Sequence, residues 1–165
     1  MTETEQIFTF ITDTPLGKIQ AAARDEALVG LWFSGQKYFP RDTTGWQNRM
    51  LPVFASLKAW LEDYFARKKP KPAFPLKPAG TEFQQAVWKL LLEIQYGKTT
   101  TYGAIASELL AAGKKASAQA VGGAVGHNPI SLLIPCHRVL GADGSLTGYA
   151  GGLDKKRALL ELEKE

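Results

Sequence analysis

Cysteine is the residue that this sequence uses least. Cys136 is the only one in 165 residues, and there are just two histidines. One cysteine cannot form an internal disulfide, so the sequence lacks the framework of a small secreted domain and fits a reducing compartment. It also cannot supply a zinc site built from several cysteines. We therefore expect a cytoplasmic protein with no metal and no cofactor.

Long apolar runs and a signal segment are missing as well. No stretch approaches the roughly 20 apolar residues of a membrane helix, and the opening MTETEQ has neither the basic nor the apolar region of a signal peptide. The content of 45% hydrophobic and 22% charged residues is typical of a globular protein. The net charge of +4 is compatible with nucleic acid but not specific for it.

The N-terminal part of the chain predicts a small sheet covered by one helix. Short apolar runs at 7–11, 16–23 and 27–33, separated by turn-forming or polar residues, are typical of strands. Apolar residues then recur at three- and four-residue spacing over 52–65, which predicts a helix with one buried face. The proline-rich and lysine-rich stretch 66–80 predicts an extended connector. We expect an α+β domain over residues 1–78.

Helical patterns dominate residues 79–165, which we expect to form a second domain. A helix is predicted to follow Thr81 as N-cap, with an apolar stripe of Phe83, Val87, Leu90, Leu91 and Ile94, and the sequence closes on an amphipathic helix. Two further helices, over 100–113 and 117–128, are joined by a glycine-containing turn and suggest a helix-turn-helix unit. The second of these is almost bare of bulky side chains. It could pack closely on a neighbouring helix or lie flat against nucleic acid.

The segment SLLIPCHRVLG, residues 131–141, places the single thiol beside a base. A lone cysteine is usually a small buried hydrophobe, but Cys136 and His137 together could form an activated nucleophile. In an extended segment neighbouring side chains point to opposite faces, so a bridging water would have to relay the proton. This arrangement suits a thiol that is activated once better than it suits a hydrolase.

IPCHRV resembles the active-site signature of the O6-alkylguanine-DNA alkyltransferases, also called methylated-DNA–protein-cysteine methyltransferases. The resemblance runs in order from FQQAVWKLL at 83 through GKTTTYGAIA, AVGGAVGHNP, LLIPCHRVLG and GYAGGL to LLELE. The N-terminal third agrees with the family only in general organisation. The resemblance implies an α+β fold, in which a small sheet-plus-helix domain precedes a winged helix-turn-helix domain that carries the active site.

The resemblance also implies a function, direct-reversal DNA repair. The protein would transfer the alkyl group from O6-alkylguanine, and also from O4-alkylthymine, irreversibly and stoichiometrically to its own cysteine after base flipping. Its partner would be double-stranded DNA approached from the minor groove, and it would act as a monomer without a membrane.

Five residues receive catalytic roles from the resemblance. Cys136 would be the alkyl acceptor, and His137 would be the base acting through water. Glu163 would orient that histidine, although a carboxylate at a helix end is more often solvated. Asn128 would brace the turn behind the thiol, where its alternative is an ordinary turn residue. Tyr102 would place its hydroxyl against the flipped base, where its alternative is a capping or core aromatic.

A second group would bind the substrate and DNA. It comprises Ser117, Ala118, Gln119, Gly122, Gly123, Arg138, Tyr149, Ala150 and Gly151, together with Gly152. Two of these depart from the family pattern: Gln119 stands where an arginine normally wedges into the base stack, and Ala150 stands where a serine is frequent. Arg138 could serve a structural ion pair or a phosphate contact.

Two other classes of function remain open from the sequence. A non-catalytic lesion binder or transcriptional regulator could use the same scaffold, but it would have no use for Cys136, His137 and Glu163 together. A thiol hydrolase would predict turnover and no requirement for DNA.

Overall fold

A computed structural model describes residues 6–164. The opening residues 1–5, which carry most of the segment used to exclude a signal peptide, lie outside this range, as does residue 165. The chain divides into two compact units. Unit 1 extends to Ala79 and includes Pro129–Ser131, while unit 2 contains Gly80–Asn128 and the chain from Leu132 onward.

Unit 1 is built on a four-stranded sheet in the order β3-β2-β1-β4. Its strands are β1 (Phe8–Thr14), β2 (Gly17–Arg24), β3 (Ala27–Phe33) and β4 (Gln47–Asn48). The first three pair as antiparallel hairpins, and β4 lies parallel to β1. The three strands predicted from the apolar runs are therefore confirmed, whereas the two-residue β4 was not predicted.

Helix α1 (Pro52–Phe65) contacts the sheet. Proline at the first helical position suits the helix start, because the missing amide would have had no partner there. The predicted apolar face is confirmed: Val53, Phe54, Leu57, Trp60, Leu61 and Tyr64 are buried. The ring of Phe54 stacks on that of Phe10 in β1 with centroids 5.5 Å apart. This face and the sheet form the core of unit 1.

The connector 66–80 is held against unit 1 along part of its length. Leu28 in β3 donates to Pro75 O at 3.0 Å and accepts from Lys77 N at 2.8 Å, which makes a parallel bridge between Leu28 and Leu76. The indole of Trp60 donates to Pro70 O at 3.3 Å. The extended state predicted from the prolines is thus found at Leu76, where the chain is anchored to the edge of β3.

Unit 2 contains four helices and a short parallel strand pair. The helices are α2 (Glu82–Leu91), α3 (Tyr102–Ala111), α4 (Ala118–Gly126) and α5 (Leu153–Glu163), and the strands are β5 (Thr100–Thr101) and β6 (Val139–Leu140). The side chains of Thr81, Thr101 and Ser117 cap the first three helices, satisfying amides that a helix start leaves unpaired. Helices α3 and α4 pack together as the predicted helix-turn-helix pair.

Local differences from the predicted helices have physical reasons. Helix α2 ends at Leu91 and does not reach Ile94, because residues 92–97 form turns. Trp88, which the predicted apolar stripe omitted, is buried, and its indole donates to Ala124 O in α4 at 2.8 Å. None of the helices within residues 6–164 is long and apolar enough to span a membrane.

Candidate active site

Cys136 lies in a short 3-10 turn, Cys136–Arg138, that leads into β6. Its side chain is 5% exposed. Asn128, which follows α4, donates from Nδ2 to Ile134 O at 2.8 Å, and its side chain also hydrogen-bonds to Cys136. Asn128 therefore joins the end of α4 to the backbone that carries the thiol.

The environment of Cys136 keeps the resting thiol protonated. Burial raises the pKa of Cys136 to about 11, although the hydrogen bond from Asn128 and the positive charge of Lys156 both act to lower it. Removing water disfavours the thiolate, whereas a donor or a nearby cation favours it. At neutral pH the thiol consequently needs a base before it can act as a nucleophile.

His137 is fully buried and is oriented by Glu163. Its Nε2 lies 2.6 Å from Glu163 Oε2, and among residues 6–164 its buried Nδ1 has no hydrogen-bond partner. Burial lowers the pKa of His137, and the hydrogen bond and charge of Glu163 partly oppose this. A neutral imidazole that donates from Nε2 to a carboxylate presents Nδ1 as a proton acceptor.

The segment around Cys136 and His137 is not extended, although extended geometry was the case considered from the sequence. Pro135 O accepts from Arg138 N at 3.0 Å, and this bond closes a 3-10 turn. His137 makes no hydrogen bond to the thiol, because Nε2 faces Glu163 and Nδ1 has no partner within the described chain.

Glu163 is the centre of a buried ionic cluster and is not solvated at the helix end. Arg138 donates from Nε to Oε1 at 2.8 Å and from Nη2 to Oε2 at 3.0 Å, and its Nη1 donates to Ile94 O at 2.6 Å. Gly97 N adds a bond to Oε1 at 3.3 Å. Two parallel guanidinium bonds fix the carboxylate geometrically. Of the two roles considered for Arg138, the geometry shows the structural ion pair.

Lys156 belongs to the site but was missed in the sequence. It is fully buried, and its ammonium donates to Val139 O at 2.6 Å and Gly148 O at 2.9 Å. Burial lowers the pKa of Lys156. A usable signal was present, because Lys156 shares the buried face of α5 with Leu159 and Glu163, and a lysine on such a face requires polar partners.

Helix α4 offers an open surface. Ala118 and Gln119 lie on its exposed first turn, and Gly123 is exposed as well. A Cβ added at Gly123 would meet nothing within 4 Å, whereas one at Gly122 would come 3.8 Å from the Tyr102 ring. Packing on a neighbouring helix therefore does not explain the glycine at 123.

The segment between β6 and α5 supplies the remaining predicted residues. Tyr149, Ala150 and Gly151 are half-buried, and the Tyr149 hydroxyl is enclosed. Gly148 and Gly152 have φ values of +135° and +104°, a region that favours glycine. Gly152 N donates to Tyr149 O at 2.9 Å. The two glycines thus set the path of a tight turn around Tyr149.

The predicted residues fall into two groups. One is the connected buried cluster, which contains Asn128, Cys136, His137, Arg138 and Glu163. Tyr102 adjoins it through Lys156, whose ammonium lies 5.9 Å from the tyrosine ring centroid. The other group is more accessible and comprises Ser117, Ala118, Gln119, Gly122, Gly123, Tyr149, Ala150 and Gly151. Within residues 6–164 no three histidine, cysteine or acidic side chains are grouped to hold a metal.

Both units match family models. Residues 7–78 match the model described as 6-O-methylguanine DNA methyltransferase, ribonuclease-like domain, and residues 82–165 match the DNA binding domain of the same description. Two relatives are named methylated-DNA–protein-cysteine methyltransferase. The Haemophilus influenzae protein is 44% identical over 92% of this chain and 83% of its own length, and the Mycobacterium tuberculosis protein is 46% identical over 92% and 89%.

Solved protein structures are also similar to this chain. The structure described as Mycobacterium tuberculosis OGT in complex with DNA superposes with a TM-score of 0.85 at 43% identity, over 95% of this chain and 92% of that one. An O6-methylguanine DNA methyltransferase from Methanococcus jannaschii superposes with a TM-score of 0.65 at 31% identity, over 94% and 93%.

Fold and site together define a two-unit protein in which a helical unit carries one buried thiol beside a neutral base. The chain belongs to the 6-O-methylguanine DNA methyltransferase family. The predicted family and α+β fold are confirmed.

Proposed function

We propose that this protein repairs DNA by moving the alkyl group of O6-alkylguanine onto Sγ of Cys136, once per molecule. Membership of the family and the names of its relatives support the reaction. The observation that carries the proposal is the line of groups behind the thiol. A neutral His137 presents Nδ1 as a proton acceptor, and Glu163 is placed at 2.6 Å to stabilise the imidazolium that forms.

The first step is proton transfer from the thiol. A water molecule carries the proton from Sγ to Nδ1 of His137, and the resulting imidazolium donates from Nε2 to Glu163. Asn128 and Lys156 lower the cost of the thiolate, since each favours the charged form of Cys136. His137 needs to accept a proton only once, so it need not reach a leaving group as the base of a hydrolase must.

The second step is a single displacement. Sγ attacks the alkyl carbon, the bond from that carbon to O6 breaks, and its electron pair passes to the guanine. The hydroxyl of Tyr102 stabilises the charge that develops on the leaving base. The product is a thioether, which has no easy route back to a thiol. The reaction is therefore stoichiometric and irreversible.

The substrate base reaches the thiol by flipping out of the duplex, because stacked DNA cannot meet a side chain that is 5% exposed. Helix α4 enters the minor groove of the DNA with its exposed first turn. Ser117 and Ala118 lie close to the DNA backbone there, and Gln119 fills the space that the flipped base leaves in the base stack. Tyr149, Ala150 and Gly151 wall the base pocket together with Gly152. O4-alkylthymine is accepted by the same route, and the protein acts as a monomer.

Intact-mass measurement tests the reaction. After incubation with duplex DNA that contains O6-methylguanine, the protein should gain one methyl group on Cys136 and stop at one equivalent. Cys136→Ser should accept no methyl group and should still bind DNA. An unchanged mass with DNA bound would replace this proposal by the lesion binder, and continued turnover by the hydrolase. Loss of DNA binding in Cys136→Ser would make the thiol structural.

A further inference from the structure

Part of the backbone that leads to Cys136, residues 129–131, pairs with strand β3 of unit 1. The chain leaves unit 2 after Asn128, places Pro129–Ser131 beside β3, and re-enters unit 2 at Leu132. Leu31 N donates to Pro129 O at 2.8 Å, and Ser131 N donates to Leu31 O at 3.0 Å. These two bonds form a parallel bridge between Leu31 and Ile130.

A buried polar cluster holds Ser131, the last residue of this paired segment. Gln36 Oε1 accepts from Ser131 Oγ at 3.0 Å and from Phe33 N at 3.0 Å. Gln36 is 6% exposed and Ser131 is 1% exposed. A buried hydroxyl and a buried amide are stable only when they are hydrogen-bonded, so the amide oxygen and the two donors hold one another in place.

The residue that follows this cluster has an unfavourable backbone conformation. Leu132 has a φ of +70°, in the left-handed region that residues with a side chain rarely adopt, and it is buried. Such a conformation persists only where its surroundings hold it. The bonds of Ser131 hold it on one side, and the bond from Asn128 Nδ2 to Ile134 O at 2.8 Å holds the chain beyond it. Cys136 N in turn donates to Ile134 O at 2.7 Å.

We propose that Gln36 and Ser131 are positioning residues for Cys136. Neither touches the reacting atoms. They fix the start of the strained segment 131–136, and that segment sets where Sγ stands relative to His137 and the alkyl carbon. The inference rests on the proposed alkyl transfer, because it explains how the fold holds the acceptor atom of that reaction.

A purely structural role would be to stabilise unit 1, and the same sheet supplies a matched control. Thr9 Oγ1 donates to Ala21 O at 2.7 Å and accepts from Gln20 Nε2 at 2.9 Å. Thr9 is 6% exposed, as Gln36 is, but its side-chain hydrogen bonds lie within the β1–β2 pair. Thr9→Val removes a buried polar contact of similar kind without touching residues 129–136.

The experiment compares Ser131→Ala, Gln36→Met and Thr9→Val at a temperature where all three are folded. Two rates are measured by intact mass: single-turnover methyl transfer from O6-methylguanine DNA, and modification of the single cysteine by iodoacetamide without DNA. Ser131→Ala and Gln36→Met should slow methyl transfer roughly tenfold, the scale expected when a reacting atom is slightly misplaced. Both should speed iodoacetamide modification, because a loosened segment exposes Sγ.

Thr9→Val should change neither rate. The double variant Gln36→Met/Ser131→Ala should be about as slow as either single variant, because both remove the same hydrogen bond between Ser131 Oγ and Gln36 Oε1. Methyl transfer at the wild-type rate in Ser131→Ala and Gln36→Met would overturn the inference, and so would equal slowing in Thr9→Val. If wild-type protein accepts no methyl group, the proposed function fails, and the iodoacetamide rates still decide whether the cluster positions Cys136.

Discussion

The two units bury polar side chains in different ways. In unit 1 the buried polar residues Thr9, Gln36 and Ser131 are neutral, and each is hydrogen-bonded. In unit 2 the buried set includes Arg138, Lys156 and Glu163, whose side chains are ionisable, as well as His137. Burying a charge costs far more than burying a hydroxyl, and hydrophobic residues of similar volume often serve stability as well or better.

The difference indicates what each unit contributes. Unit 1 is a scaffold, because a sheet and one amphipathic helix form an apolar core with few polar contacts. Unit 2 keeps charges next to the thiol at a cost in free energy, and such clusters mark functional sites. Changes in the ionic cluster should therefore affect reactivity and stability together, whereas changes in the apolar core of unit 1, away from Gln36 and Ser131, should affect stability alone.

Glu163→Gln should have the largest effect. It removes the negative partner of Arg138 and His137, and loss of one partner from a buried ion pair costs about 3–5 kcal/mol. The neutral amide also cannot stabilise an imidazolium, so methyl transfer should fall by roughly 100-fold or more. Urea unfolding and single-turnover kinetics measure the two effects.

Glu161→Gln is the control on the same helix. Glu161 pairs with Lys164 at 3.1 Å, but both side chains are about 70% exposed, and an exposed pair contributes on the order of 0–1 kcal/mol. This variant should react at the wild-type rate. A Glu163→Gln variant that lost stability and kept full reactivity would remove the distinction between the units.

Lys156→Met should have an intermediate effect. The ammonium favours the thiolate of Cys136, so its removal raises the thiol pKa further and slows methyl transfer by about tenfold for each pKa unit. Lys155→Met changes the adjacent, half-buried lysine and should leave the rate unchanged. Equal rates in the two variants would show that Lys156 only joins Val139 to Gly148.

The sequence predicted elements wherever local pattern decides the outcome. The apolar runs of β1 to β3, the apolar face of α1 and the cap at Thr81 all depend on neighbours within a few positions. Contacts between distant residues leave no such pattern. Arg138 meets Glu163 across 25 positions, and Ser131 meets Gln36 across 95.

The surroundings of Cys136 show the same limit more sharply. The sequence offered no prediction of the backbone path through SLLIPCHRVLG, which contains a left-handed Leu132 and a 3-10 turn at Cys136–Arg138. Both depend on anchors outside the segment, namely β3 and Asn128. Lys156 was missed for a different reason, since a lysine in an amphipathic helix is usually placed in solvent.

The smallest expected effect is that of pH on the rate of methyl transfer. Burial lowers the pKa of His137 below its ordinary value of 6.5, so the imidazole is neutral and able to accept a proton throughout the range above that value. The thiol, with a pKa of about 11, stays protonated over the same range. Methyl transfer should consequently be level between about pH 7 and 9 and decline only as the pH falls through the lowered pKa of His137.

The pH dependence of folding stability should also follow His137. The folded state binds a proton at His137 less readily than the unfolded state does. The contribution of neutral His137 to folding stability is therefore complete above the pKa of the unfolded state, and it is lost as the pH falls through the pKa of the folded state. The charged side chains that act on His137 are Glu163, Arg138 and Lys156. His127→Gln, which changes the exposed histidine after α4, should leave both profiles unmoved. A rate that rises tenfold per pH unit between 7 and 9 would instead reveal a thiol that titrates freely, and unit 2 would then hold its charges for some purpose other than controlling Cys136.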